Sequence, residues 1–262
     1  MVAPFLRTPQ EQTSNVQILL TNDDGIYAPG LAALEQQLKG LGDVEVVAPL
    51  TEQSGVGHAI TYLTPLMARE LYDGDRRRGW AVEGSPADCV KVAVAELVRP
   101  RPALVVSGIN SGLNAGINVL YSGTVAAAIE GAFFGITSFA VSLEYDEHSR
   151  YERAAELAVQ VIGQVLEQKE PTPQLYNLNI PVSALEQPSV DVSIAEMGIA
   201  PWGENFERRI DPRGRPYFWA GGSQPRAPEH DQTDLAMLQK GHITITPLHF
   251  DMTARQKLAE MR

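Results

Sequence analysis

Short apolar runs and amphipathic stretches alternate along the first two-thirds of the chain. Residues 16–21, 44–48, 103–107, 137–143 and 175–180 are mainly apolar runs of strand length, the texture of strands buried on both faces. Between them, 29–41, 85–98, 122–134 and 153–167 read as helices. The first places Leu31, Leu34 and Leu38 on one face, and the last does so with Ala154, Ala158, Val161, Ile162 and Val165. The second carries its own start signal, with Ser85 as N-cap, Pro86 in the first turn and Asp88 closing an acidic capping box. Residues 63–72 and 79–83 read as two further strands around a basic turn that holds Arg76, Arg77 and Arg78. This alternation predicts an α/β fold, a mostly parallel sheet with helices on both faces.

From about residue 200 the texture changes. Phe206, Tyr217, Phe218 and Trp219 flank the turn Asp211-Pro-Arg-Gly-Arg-Pro216, which predicts a long aromatic hairpin over 204–222. An isolated hairpin is marginal in water, so the arm at about 200–240 is expected to pack on a second copy of the chain and to build a homodimer or homotetramer. Folding back on its own domain is the alternative. Residues 242–247 close the pattern as a last strand. Residues 1–15 are polar and Pro-containing and read as a flexible extension, so that 16–262 forms one domain.

Net charge is −11, with 32 acids against 21 Lys and Arg. Such a field repels a phosphate backbone and argues against a nucleic-acid polymer as partner. The longest apolar run, 125–136, is too short to span a bilayer and is broken by Glu130, so no membrane association is expected. The one cysteine, Cys89, excludes an internal disulfide framework and suits a reducing, cytoplasmic setting as a packed thiol.

The chemistry gathers at strand ends. The run from Ile18 reads Ile-Leu-Leu-Thr-Asn-Asp-Asp-Gly and ends in two adjacent carboxylates, Asp23 and Asp24. Like charges so close oppose each other's ionisation, and a divalent cation removes that cost. Turn or helix capping is the other use of an Asp pair. The loop after the second strand carries Ser54-Gly-Val-Gly-His58, and the loop after the strand at 103 carries Ser107-Gly-Ile-Asn110. In a parallel sheet these loops share one edge, where ligands bind. Their oxygen ligands suit Mg²⁺ or Mn²⁺ and not zinc. Tyr121-Ser122-Gly123-Thr124 opens a helix and predicts a phosphate cradle, with N-capping by Ser122 as a compatible role. Neither a Gly-Lys-Ser/Thr loop nor a complete dinucleotide glycine fingerprint is present.

Taken in order, Ile18-Leu-Leu-Thr-Asn-Asp-Asp-Gly-Ile-Tyr-Ala-Pro-Gly30, Gln53-Ser-Gly-Val-Gly-His58, Gly84-Ser-Pro-Ala-Asp88, Val106-Ser-Gly-Ile-Asn110 and Tyr121-Ser-Gly-Thr-Val-Ala-Ala127 resemble the SurE survival-protein family of metal-dependent nucleotidases. Asp211-Pro-Arg-Gly-Arg-Pro216, Thr233-Asp234 and Ile245-Thr-Pro-Leu248 extend the resemblance past Asp251. It implies a Rossmann-like three-layer fold with a protruding C-terminal hairpin used in assembly. It also implies hydrolysis of nucleoside 5′-, and also 3′-, monophosphates with one divalent cation per subunit, Mg²⁺ or Mn²⁺.

Carried over by position, the metal ligands are Asp23, Asp24, Ser54 and Asn110, with the two aspartates as the catalytic pair. Asn22, Gly55, Ser107, Gly108, Asn114, Ser122, Gly123 and Thr124 are expected around phosphate and substrate. Ala59, where many relatives carry Ser, and Ile117-Asn118, where an acid is frequent, depart from the family pattern. Asp24 as acceptor of a water proton and an aspartyl-phosphate intermediate are alternative mechanisms, and His58 is a candidate proton donor. Two other functions fit less of the chain. One is a non-catalytic metal or nucleotide sensor, the other a dinucleotide-dependent oxidoreductase.

Overall fold

The first apolar run forms β1 (Gln17–Thr21), and its position in the sheet decides where the chemistry sits. The protein is represented by a computed structural model that describes residues 16–168, 170–200, 205–221, 228 and 230–262. The expected extension at 1–15 lies outside the described residues.

Chain order continues with α1 (Pro29–Leu38), β2 (Asp43–Pro49), β3 (Ala68–Asp73), β4 (Arg76–Val82), α2 (Pro86–Val92), β5 (Leu104–Ser111), α3 (Gly123–Phe133), β6 (Thr137–Leu143), α4 (Tyr151–Gln168) and β7 (Leu175–Ile180). It ends with β8 (Val192–Ile194), β9 (Asn205–Ile210), β10 (Pro216–Gly221), α5 (Asp234–Gln239), β11 (Ile243–Leu248) and α6 (Arg255–Glu260). One sheet runs β3-β4-β2-β1-β5-β6-β7-β11-β8. Its centre, from β4 to β7, is parallel, whereas β3 and β11 pair antiparallel to their inner neighbours.

Alternation along the strands divides the core in two. Ile18, Leu20, Val106, Phe139 and Val141 face α1 and α4. Leu19, Val47 and Val105 face the layer of α2 and α3. Each such fully buried aliphatic side chain contributes about 1.5–3 kcal/mol of transfer free energy. The sheet therefore stays fixed while its carboxyl edge carries polar loops. The capping box of α2 forms as its sequence predicts: Ser85 Oγ accepts from Asp88 N–H and the Asp88 carboxylate accepts from Ser85 N–H.

Several expectations shift. The helix of 85–98 is α-helical only to Val92, and Ala93–Leu97 widens into a π turn. Arg76, Arg77 and Arg78 lie in β4 instead of in the turn, which falls at Gly74 and Asp75. Acidic neighbours hold all three: Arg77 pairs with Glu45 and Glu70, while Arg78 and Arg76 reach Glu35. The strand expected from residue 63 starts at Ala68. Residues 60–67 before it are irregular, with Tyr62, Leu63 and Met67 exposed. β8, α5 and α6 are short elements that periodicity did not mark.

The hairpin forms as β9 and β10, a separate two-stranded sheet. Asp211 Oδ1 accepts from the N–H groups of Arg213 and Arg215, both at 2.9 Å, and closes the turn. Part of the expected arm is not hairpin at all, since α5 packs beside β11 and its Leu235 and Leu238 are buried.

Candidate active site

β1 delivers Asn22, Asp23 and Asp24 to the carboxyl edge of the sheet, between β2 and β5. Asn22 Nδ2 donates to Gly25 O at 2.9 Å and curls the chain at once. Gly25 takes φ +96°, which favours glycine. Each neighbouring loop then fastens to the acid pair. Gln53 N–H donates to Asp23 O at 2.8 Å, Ser111 N–H donates to Asp24 Oδ2 at 3.3 Å, and Thr124 Oγ1 donates to Asp23 Oδ1. The start of α3 presses on the same carboxylate, because a Cβ on Gly123 would lie 3.0 Å from Asp23 Cβ and 3.1 Å from Pro86 Cγ.

Burial raises the pKa of Asp23 above the usual carboxylate range, against the pull of the Thr124 hydrogen bonds. Asp24 is pushed up to about 6, first by burial and then by the charge of Asp23. Two carboxylates that resist ionisation side by side make a place that a dication stabilises. Glu52 adds a third negative charge to both.

β5 brings Asn110 in by an irregularity. Ser107 pairs with Ala140 and Asn110 with Ser142, so three steps along β5 match two along β6. Such a bulge re-aims the side chains beyond it. Gly108 permits it: φ is +143°, and a Cβ there would sit 2.3 Å from Val141 O. Asn110 Nδ2 donates to Gly112 O at 2.6 Å, so Oδ1 is the atom Asn110 would offer a cation.

Ser54 is exposed and donates to Glu52 Oε1 at 2.7 Å. Its loop is tied to α3 twice. Gly57 N–H donates to Tyr121 O at 3.0 Å, and His58 Nε2 meets Glu130 Oε1 at 2.8 Å with the imidazole stacked on Phe133. Glu130 is 4% exposed and also faces Lys91 at 3.6 Å. His58 Nε2 is thus used in anchoring the loop. Gly55, at φ +70° in open space, supplies the bend.

The donor set fits a hard cation. Asp23, Asp24, Ser54 and Asn110 offer oxygen only. Asn22 Oδ1 and Ser107 Oγ are buried without a hydrogen-bond partner among the described residues. No three His, Cys, Asp or Glu side chains of the described residues converge as a metal cluster, so neutral oxygens must complete any site.

Three residues expected around phosphate have hydrogen-bond partners within the chain. Thr124 spends its hydroxyl on Asp23 and positions that carboxylate. Ser122 Oγ caps α3 by accepting from Val125 N–H at 3.1 Å, which leaves the Gly123 N–H and the Ser122 hydroxyl proton to meet an incoming oxygen. Asn114 is committed to the sheet. Its N–H donates to Asn179 Oδ1, its Nδ2 to Ser142 Oγ, and its carbonyl accepts from Asn177. These bonds brace the loop after β5.

The chain matches the family Survival protein SurE over residues 18–204. It belongs to the SurE family. The 5′-nucleotidase SurE of Rhodopirellula baltica is 56% identical over 94% of this chain and 98% of its own length. That of Herpetosiphon aurantiacus is 45% identical over 91% and 94%. The crystal structure of the SurE protein from Aquifex aeolicus superposes with a TM-score of 0.79 at 35% identity, covering 94% of this chain and 98% of the other.

Glu52 and Glu130 were not legible as site residues. Glu52 lies in a polar loop, and Glu130 reads as a flaw in an apolar helix. A buried acid on an otherwise apolar helical face was the available signal.

Proposed function

We propose that this chain is a divalent-cation-dependent phosphatase that releases phosphate from nucleoside 5′-monophosphates, the activity named for its SurE relatives. The Asp23–Asp24 pair, with Asp23 buried and the two residues bonded to the loop after β2, the end of β5 and the first turn of α3, is the observation that carries the reading. Asp23, Asp24, Ser54 and Asn110 would hold one Mg²⁺ or Mn²⁺. When bound, such an ion polarises a phosphoryl oxygen and acidifies a coordinated water. The chain's own residues orient the substrate. Gly123 N–H and the positive end of α3 face its non-bridging oxygens, and Thr124 keeps Asp23 from swinging. The ester is held within reach of both carboxylates, and water enters through the exposed Ser54 loop.

The arm supports assembly. Phe206, Ile210 and Phe218 share one face of the hairpin, each about 60% exposed, an apolar surface of the kind that marks an interaction site. A second copy of the chain covers it, giving a dimer or a pair of dimers. Among the described residues no helix is long and apolar enough to cross a membrane. The single buried thiol, Cys89, fits a reducing compartment such as the cytoplasm.

Phosphate release from a panel of nucleoside 5′- and 3′-monophosphates, with Mn²⁺, Mg²⁺ or EDTA, tests the activity. Turnover with metal and none with EDTA is expected. Turnover untouched by chelation rejects the metal assignment, and absence of turnover on every nucleotide rejects the function.

A further inference from the structure

A cleft of about 520 Å³ opens beside the acid pair, between the loop after β2 and the turn from β4 into α2. Its walls include Leu50, Gln53, Val56, Ile60, Thr61 and Glu83. The volume is that of a small-molecule site. Gln53 belongs to both places, since its N–H is bonded to Asp23 O at 2.8 Å. β2 is the neighbour of β1 and β4 lies one strand further, so the cleft begins beside the acid pair and reaches about 10 Å from it at ordinary strand spacing. Ribose and base of a nucleotide extend over that range when the phosphate sits at the acids.

The cleft is built, and several bonds hold its walls. Thr61 donates to Asp88 through its N–H at 2.9 Å and through Oγ1 at 2.6 Å. Ser85 Oγ donates to Ala59 O at 2.6 Å. These bonds fix the irregular segment 59–61 against α2, so the cleft keeps its shape without a ligand. The lining then presents Leu50, Val56 and Ile60 as apolar surface for a flat ring, with Ile60 half exposed. Glu83 is an exposed acceptor at the rim. Among the described residues no Lys or Arg lines it.

We infer that this cleft takes the nucleoside part of the substrate, an inference that rests on the phosphatase reading given above. Ring surface packs on Val56 and Ile60, and Glu83 accepts hydrogen bonds from ribose hydroxyls or a base amino group. A lining with one carboxylate and no cation selects a neutral, donor-bearing group. It disfavours a second phosphate on the far side of the ribose.

The test compares two substrates on one preparation, so that any unfolded fraction cancels. Adenosine 5′-monophosphate reaches the cleft, whereas p-nitrophenyl phosphate lacks the ribose and base. Ala59→Trp fills the cleft from an exposed position, and Glu83→Gln removes the charge. The kcat/KM ratio of the nucleotide to p-nitrophenyl phosphate is expected to fall at least tenfold in Ala59→Trp and about threefold in Glu83→Gln. Free adenosine is expected to compete with the nucleotide in the parent and not in Ala59→Trp. Ratios that stay at the parental value in both variants, or adenosine that competes equally in Ala59→Trp, overturn the cleft assignment and leave the phosphatase reading intact. A parent that releases phosphate from p-nitrophenyl phosphate but from no nucleotide overturns both. Loss of Mn²⁺ dependence at an unchanged substrate ratio counts against the metal site alone.

Discussion

Asp23→Asn separates what the acid pair does for chemistry from what it costs the fold. The carboxylate of Asp23 is 3% exposed, and burial raises its pKa. Its charge also helps hold Asp24 up at about 6. Without a cation the folded protein therefore holds together two carboxylates that resist ionisation. Asparagine keeps the shape, and its Oδ1 still accepts from the Thr124 hydroxyl. The substitution is expected to stabilise the metal-free protein and raise its melting temperature, because it removes a carboxylate whose ionisation burial opposes.

The same change weakens the site for Mn²⁺. The parent, at a free metal concentration about 100-fold over its Kd, gains about 2.7 kcal/mol from binding, and the variant gains far less. Turnover falls on the order of 10³-fold, about 4 kcal/mol of transition-state stabilisation. Melting curves with EDTA and with Mn²⁺, Mn²⁺ titration calorimetry and phosphate release on both proteins measure all three quantities. The decisive result is the crossing, with the variant above the parent in EDTA and below it in saturating Mn²⁺. A variant that melts lower than the parent in EDTA, or that binds Mn²⁺ as tightly, refutes the reasoning.

Other expectations follow from the same geometry. Because its folded pKa is raised, Asp24 destabilises the metal-free fold above about pH 6 and ceases to do so as pH falls toward 4. After allowance for its partial exposure this is about 1–2 kcal/mol. The EDTA-treated protein should melt higher at pH 5 than at pH 7 by more than the Asp24→Asn variant does, and equal slopes for the two proteins count against the pair. Glu130→Gln loosens the tether between α3 and the Ser54 loop. It should raise the Mn²⁺ concentration for half-maximal activity about 5- to 10-fold, with the far-ultraviolet dichroism unchanged, and an unaltered activation curve removes Glu130 from the site. Gly108→Ala forces a Cβ to within 2.3 Å of Val141 O at φ +143°. It should cost more than about 3 kcal/mol, and a melting temperature within 2–3 °C of the parent (roughly 1 kcal/mol) shows that the β5 bulge is not required.

Much of the fold could be read from the chain because its signals were local. β6 and β7 fall on the predicted residues, since an apolar run of strand length between breakers has few alternatives. The capping box of α2 is equally local and forms as written. The misreadings came where partners lie far off in sequence. The arginines at 76–78 look like a solvated turn until Glu35, Glu45 and Glu70 arrive from elsewhere to pair with them. β8 gains its place only by pairing with β11, some fifty residues on.

At the site, the pairing of Asp23 with Asp24 was legible because the two are neighbours in the chain, and the shared sheet edge followed from parallel order. What escaped was which atom each polar group gives to which neighbour. Thr124 and Asn114 have the chemistry to bind phosphate, and their side chains also hold Asp23 and brace the sheet. The sheet polarity behind Asn114 has the same origin. Asn177, Asn179, Thr244 and Thr246 stand in register on β7 and β11 and are fully or almost fully buried. An alternating polar face in sequence reads as solvent-facing, and here it meets the loop after β5 instead. The residue types of a site are therefore written in the chain, but their division between ligand and support is decided by contacts across the sheet edge. The Glu130→Gln experiment tests that division most directly, because Glu130 touches none of the expected ligands and acts through His58 on the segment that bears Ser54. Should Mn²⁺ activation shift while the fold persists, the tether belongs to the site; should stability alone change, Glu130 is only a buried acid that found a partner.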